Sequence, residues 1–169
     1  MVSPMEIQEL LSIYPFTWHA IGTSLLCGSI IGLERQLRGK PVGIRTSTLI
    51  VLGTYIFVAT SFIVANEETD RTRVIGQVVT GIGFLGAGVM LAKEGLVVGV
   101  TSAATIWTLA AIGVCITVVS EQVAIKISIV VVVILYGVGM LEKYFSILTL
   151  GVHSTYKSFI NREQNNHRD

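Results

Sequence analysis

Residues Val123 to Met140 read VAIKISIVVVVILYGVGM, eighteen positions with Lys126 as the one charge. The portion VVVILYGVG has the β-branched composition of a buried strand, but buried strands run to about four to eight residues. A helix crossing a hydrocarbon core of about 30 Å needs about 20 apolar residues, with roughly 17 to 25 tolerated. Length therefore selects the helix. Four more stretches upstream have the same character: Phe16 to Leu33, Ile44 to Ala65, Val74 to Ala92 and Leu96 to Val119. Only helices and closed barrels satisfy backbone hydrogen bonds inside lipid, and these runs lack the alternation of barrel strands. The expected fold is all-α: a polytopic membrane protein with about five transmembrane helices, at about 16–33, 44–65, 74–92, 96–119 and 123–140.

The composition agrees. Of the 169 residues, 51% are hydrophobic and 14% charged, whereas soluble domains carry about 25% charged residues. That polar fraction is too small to coat a water-facing enzyme. The 17 glycines fit membrane helices, which tolerate them well. A net charge of +1 gives no footing for nucleic acid. Cys27 and Cys115 lie in apolar runs, with neither a CxxC pair nor a spacing suited to zinc. The opening MVSPMEIQEL has acids and no basic residue, unlike a cleavable signal peptide, so the first run is expected to stay in the membrane.

The breaks ERQLRGKPVG, NEETDRTR, KEG and SEQ are short, which makes neighbouring helices antiparallel. With five spans, Arg71, Arg73 and Lys126 share the side of the N-terminus, and the other nine basic residues share the opposite side. The excess of Lys and Arg marks the cytoplasm, so the N-terminus is expected outside and the C-terminus inside. Residues 1–141 form the transmembrane domain on this reading. Residues 142–169, LEKYFSILTLGVHSTYKSFI less its first Leu and then NREQNNHRD, form a cytoplasmic or interfacial helix and a disordered tail.

The third run contains Gly81-Ile82-Gly83-Phe84-Leu85-Gly86, formally GxGxxG. A dinucleotide site needs a preceding strand and an acid about 20 residues on, and Ile106 stands there instead. Close helix packing is the better reading. Gly76, Thr80, Gly83 and Ala87 share one helical face, Gly81, Gly86 and Gly88 add further small residues, and Gly28 with Gly32 makes a GxxxG on the first run. An alternative is that GIGFLGAG breaks the helix and turns backbone carbonyls toward an ion path.

Glu34 and Arg35 end the first run and Arg45 opens the second. A short hairpin between them would let Arg45 pair with Glu34 and offset the cost of a carboxylate at the membrane edge. Asp70 and Arg73 precede the third run, with Asp70 as a natural helix cap beside Glu67 and Glu68, or with the three acids as a cation-attracting mouth. Gln77, Thr101, Ser102 and Thr105 could bond across helices or line a polar path, although such hydroxyls usually bond their own backbone. Trp107 is expected to pack in the interior, and His19 to lie at the interface. No P-loop, HExxH or GxSxG motif is present.

These blocks together resemble the MgtC/SapB family of bacterial inner-membrane proteins. The matching segments are Gly32-Leu33-Glu34-Arg35-Gln36, Gly43-Ile44-Arg45-Thr46, Asp70 with Arg73, Gln77 through Gly88, and Thr101 through Trp107 closing with Ala110 to Gly113. They span about Gly22 to Val119 in the family's order. Ser47 departs from the Asn or His common after Arg-Thr. Many members also carry a cytoplasmic ACT-like domain, for which the 29 residues after Met140 are too few.

The resemblance implies a multi-pass protein of the bacterial inner membrane, linked to magnesium limitation and acid stress. An older label calls such proteins magnesium-transport ATPases, and the absence of any phosphorylation or nucleotide motif speaks against the ATPase part. Some members are thought to restrain a partner membrane complex such as the ATP synthase. Two functions follow as expectations. One is a non-enzymatic regulator that binds a membrane complex, or its own copies, through the glycine faces of spans one and three. The alternative is a Mg²⁺ or proton channel or transporter, with Glu34, Arg45, Gln77, Thr101 and Thr105 along the path. No cofactor is expected beyond Mg²⁺ itself, and no metal ligands are assigned. A dedicated Mg²⁺ path favours hard oxygen ligands, and no Asp or Glu lies within the spans away from a helix end.

Overall fold

A computed structural model describes residues 12–64, 72–93 and 96–144. It is helical apart from one small ribbon. The helices are α1 (Trp18–Leu37), α2 (Ile44–Val64), α3 (Thr72–Gly88), α4 (Val100–Val118) and α5 (Glu121–Tyr144), with strands β1 (Leu91–Lys93) and β2 (Leu96–Val98) between α3 and α4. The chain up to Val132 is one compact unit, and Val133 opens a second whose described part is the end of α5.

Among the described residues, three helices are long and apolar enough to cross a bilayer: Ile44–Val64, Val100–Val118 and the Glu121–Leu141 part of α5. The other two differ for separate reasons. The apolar run of α1 is diluted by Thr23 and Ser24 and ends on Glu34, Arg35 and Gln36. Helix α3 has 17 residues, about 25 Å at 1.5 Å per residue.

The expected third span at 74–92 and fourth at 96–119 are corrected here. Helix α3 stops at Gly88, and Leu91–Lys93 pairs antiparallel with Leu96–Val98. A leucine- and valine-rich stretch is as apt for a strand as for a helix. Gly99 decides where α4 begins: its φ of 92° suits glycine, and its α-carbon packs so closely on the Val89 carbonyl that a side chain would not fit. Residues 145–169, with most of the expected interfacial helix and tail, lie outside the described residues.

Glycines set the helix spacing. A Cβ at Gly28 would lie 2.5 Å from the Thr48 α-carbon, and one at Gly32 would lie 2.5 Å from the Ile44 α-carbon. The GxxxG of α1 therefore seats the first turns of α2 backbone to backbone. Gly113 of α4 does the same against α2, where a Cβ would come within 2.7 Å of the Val51 carbonyl oxygen. Around these contacts Cys27, Ile31, Val51, Val58, Ile106, Leu109 and Ile112 are fully buried. Leu33, Phe57, Phe84, Trp107, Val130 and Ile134 face outward, an exterior suited to lipid or to a partner. Trp107 is thus no interior packing residue, since it sits out of phase with the buried face of α4.

The turn into α2 is tight. Val42 is buried at a φ of 68°, a strained setting for a β-branched residue. Ser47 holds it by donating its hydroxyl to the Val42 carbonyl at 3.1 Å, and Gln36 Oε1 accepts from the Ile44 amide at 3.3 Å. Ser47 is fully buried, so the residue that departs from the family pattern has a structural task in this chain.

Candidate functional site

Polar side chains gather at the two ends of α1. At its C-terminal end Glu34 and Arg35 are both buried, at 8% and 4% exposure. Helical spacing places Arg38 one turn beyond Glu34, and its Nε lies 2.7 Å from Glu34 Oε1. The separation is that of an ion pair, although neither Glu34 oxygen receives a well-directed hydrogen bond. Arg35 points elsewhere, with Nη2 donating to Ser102 Oγ at 2.8 Å in the first turn of α4. Its Nε is buried without a partner among the described residues.

The expected Glu34–Arg45 pair is therefore corrected. Arg45 lies on the outward face of the first turn of α2 and is exposed, while Arg38 reaches Glu34 from the same helix. Arg45→Ala is accordingly expected to shift unfolding by less than about 0.5 kcal/mol. Arg38→Ala strands a buried carboxylate and is expected to cost roughly 1–3 kcal/mol. Thermal melting of the detergent-solubilised variants separates the two, and equal losses would restore Arg45 as the partner.

The other expected polar residues do not converge on this cluster. Arg73 and Gln77 are exposed on α3, and Thr101 is exposed on α4. Thr105 is buried but donates to its own helix, at the Thr101 carbonyl, at 2.8 Å. Asp70, with Glu67 and Glu68, lies outside the described residues. Ser102 was the better choice on α4. It falls in step with Thr105, Ile106, Leu109, Ile112, Gly113 and Ile116, the buried face, whereas Thr101 does not. That phase was available in the sequence, but a helix apolar on all sides blurs it.

The expected glycine contacts divide. Gly28 and Gly32 pack, but against α2 and not against α3. On α3 only Gly86 meets a neighbour, Ala103 at 3.7 Å. A Cβ at Gly76, Gly81, Gly83 or Gly88 would meet nothing within 4 Å among the described residues, so α3 is open on these sides. Helix α3 also runs unbroken through GIGFLGAG, which removes the alternative of a broken helix exposing carbonyls.

The N-terminal end of α1 holds a second polar cluster that the sequence did not single out. Thr23 Oγ1 donates to Glu121 Oε2 at 3.2 Å, joining α1 to the start of α5. The Thr17 amide donates to the Tyr55 hydroxyl at 3.3 Å, and the Phe16 and Tyr55 rings meet edge-on. Tyr14, Thr17, Tyr55, Thr117 and Glu121 help to line a cavity of about 600 Å³ there. Between the two clusters Cys27, Ile31, Val51 and Leu109 are fully buried and apolar, with no carboxylate among them. The described residues contain no group of three His, Cys, Asp or Glu able to hold a metal.

The sequence profile of the MgtC family matches residues 21–144. Protein MgtC of Brucella abortus is 48% identical over 92 residues, which are 54% of this chain and 38% of that protein. An uncharacterized protein of Synechocystis is 46% identical over 91 residues, 53% of this chain and 38% of its own length. Escherichia coli YhiD, provisionally named as a magnesium transporter, is 42% identical over 105 residues, 58% of this chain and 48% of YhiD. The chain thus spans less than half the length of the relatives it matches. No solved structure gives a significant match.

Proposed function

The chain belongs to the MgtC family, and we propose that it is a non-enzymatic inner-membrane protein that acts by binding another membrane protein or its own copies. In this reading all five helices cross the bilayer, with the N-terminus outside and nine of the twelve basic residues on the cytoplasmic side. Its setting in this reading is magnesium limitation or acid stress, and the name of YhiD supports the link to magnesium. The open face of α3 supports this reading more than any other observation. A Cβ at Gly76 or Gly83 would meet nothing within 4 Å among the described residues, and Thr80 is exposed. The Thr80 hydroxyl is bonded to the Gly76 carbonyl at 2.9 Å. The result is a smooth, internally satisfied groove of the kind that lets a second helix approach closely in lipid.

The test is Gly83→Leu. Because a Cβ at Gly83 would meet nothing within 4 Å among the described residues, the variant is expected to keep its fold and melting temperature while losing association. Cross-linking in native membranes, followed by sizing of the extracted protein, reads this directly. Wild type should run in a larger assembly and Gly83→Leu as the lone chain. Identical profiles would remove the interface.

A second reading, transport of Mg²⁺ or protons, draws on the name of YhiD and on the polar clusters at both ends of α1. Between those clusters Cys27, Ile31, Val51 and Leu109 are fully buried, which weighs against a continuous path. A Mg²⁺ path favours carboxylate oxygens, and the fully buried oxygens of Ser24 and Ser128 there are hydroxyls that donate to their own helices.

A further inference from the structure

Arg35 makes no close ion pair, and the carboxylate of the neighbouring Glu34 acts on its charge only from beyond 4 Å. Glu34 is engaged by Arg38, and no carboxylate lies within 4 Å of the Arg35 guanidinium among the described residues. Arg35 is nevertheless 96% buried, as its 4% exposure states. An unpaired buried cation is costly, and more so beside lipid. The two nearby helix ends do not remove that cost. The negative C-terminal end of α1 favours the charge, while the positive N-terminal end of α4, to which Arg35 is bonded, opposes it.

Three kinds of donor converge at this point. The first is Arg35 Nε, buried and without a partner. The second is the Ser102 hydroxyl. Ser24, Thr105 and Ser128 each donate to the carbonyl four residues back, at Ala20, Thr101 and Ala124. Ser102 stands in the first turn of α4, so the residue four back is Val98 of β2, outside the helix. Its oxygen accepts from Arg35, which leaves its proton free to be donated. The third is the set of first-turn amides of α4, where the N-cap is Gly99 and no side chain caps them. A guanidinium, a hydroxyl and a helix N-terminus form a set of donors, and the one carboxylate of the cluster, Glu34, lies against Arg38 and accepts from none of them, which leaves the chemistry of an oxyanion site.

We infer that Arg35, Ser102 and the N-terminus of α4 bind an oxyanion of the phosphate class, from a lipid headgroup or from free phosphate. The site stands apart from the α3 face, so the partner-binding reading and this one can fail separately. Bound there, the anion accepts from the unmet Arg35 Nε and ties α1 to α4 at the membrane edge.

The probes are inorganic phosphate added to protein in neutral, lipid-free detergent, and nanodiscs of phosphatidylglycerol compared with phosphatidylcholine. Melting temperature is read in both, at matched ionic strength. A saturable rise with inorganic phosphate identifies the free ion. A rise confined to phosphatidylglycerol identifies the headgroup. In either case Ser102→Ala, which keeps the charge, is expected to weaken the response about tenfold, in line with the loss of one hydrogen bond to an ion. Arg35→Gln should abolish it, and Arg45→Gln, at an exposed arginine, should leave it intact. If Arg35→Gln does not fold, the Ser102 and Arg45 variants still decide. The inference is overturned if neither probe raises the melting temperature, or if Ser102→Ala responds as wild type does.

Discussion

Gly32→Ala is expected to force α1 away from the start of α2 and to lower stability by about 1–3 kcal/mol. One added methyl suffices because it meets backbone. Its carbon would lie 2.5 Å from the Ile44 α-carbon and 2.8 Å from the Ile44 nitrogen, atoms that cannot rotate aside. The Ile44 amide is also held by Gln36 Oε1, and the preceding turn contains the strained Val42, so a shift would disturb both. Gly28 repeats the contact one turn earlier against Thr48. The double variant Gly28→Ala with Gly32→Ala should lose less than the sum of the two, since one separation relieves both clashes. Melting in detergent measures this, and a wild-type melting temperature for Gly32→Ala would mean that the two helices are not in backbone contact.

Gly113→Val should have an effect of similar size on the other side of α2. A Cβ at Gly113 would lie 2.6 Å from Thr54 Cβ and 2.7 Å from the Val51 carbonyl oxygen. Turning Thr54 would move its Cγ2 but neither its Cβ nor the carbonyl. Ile112 and Leu109 beside it are fully buried, so α4 has no free volume to retreat into. A loss of about 1–3 kcal/mol is expected, with α2 and α4 loosened while the α1–α2 seam persists. Cysteine accessibility is a suitable readout, because buried Cys115 on α4 should become reactive to a membrane-permeant thiol reagent before buried Cys27 on α1 does. Equal reactivity of the two in Gly113→Val would contradict the assignment of this glycine to the α2–α4 contact.

The helical class was legible because it follows from length. A run such as Val123 to Met140 has no other stable form in lipid. Element ends were harder to read where a short break such as KEG stands between apolar residues that suit helix and strand alike. Met90 to Val98 looks the same whether it ends one helix, forms the ribbon, or begins another, and only the packing of Gly99 on the Val89 carbonyl fixes the outcome. The glycines show the same limit. The sequence marks Gly28, Gly32 and Gly83 alike as small positions, yet two are closed by α2 and the third is open.

The charged cluster was found in sequence but its partners were not. The hairpin in the sequence suggests Arg45 as the partner of Glu34, although Arg38 stands at the favoured spacing on the same helix. No sequence neighbour identifies the partner of Arg35, because Ser102 meets it only where α4 packs on α1. Glu121 drew no notice because an acid at a helix start already has a reason to be there. Its bond to Thr23 depends on two helices 98 residues apart in sequence.

Flux separates a partner-binding protein from a transporter most directly. Purified protein, shown folded by its melting transition, is placed in liposomes, and Mg²⁺ and proton entry are followed beside empty liposomes and an Arg35→Ala control. Partner binding predicts no entry above empty liposomes for either ion. Entry that the wild type supports and Arg35→Ala abolishes would contradict it, and would make the polar clusters at the two ends of α1 the mouths of a path.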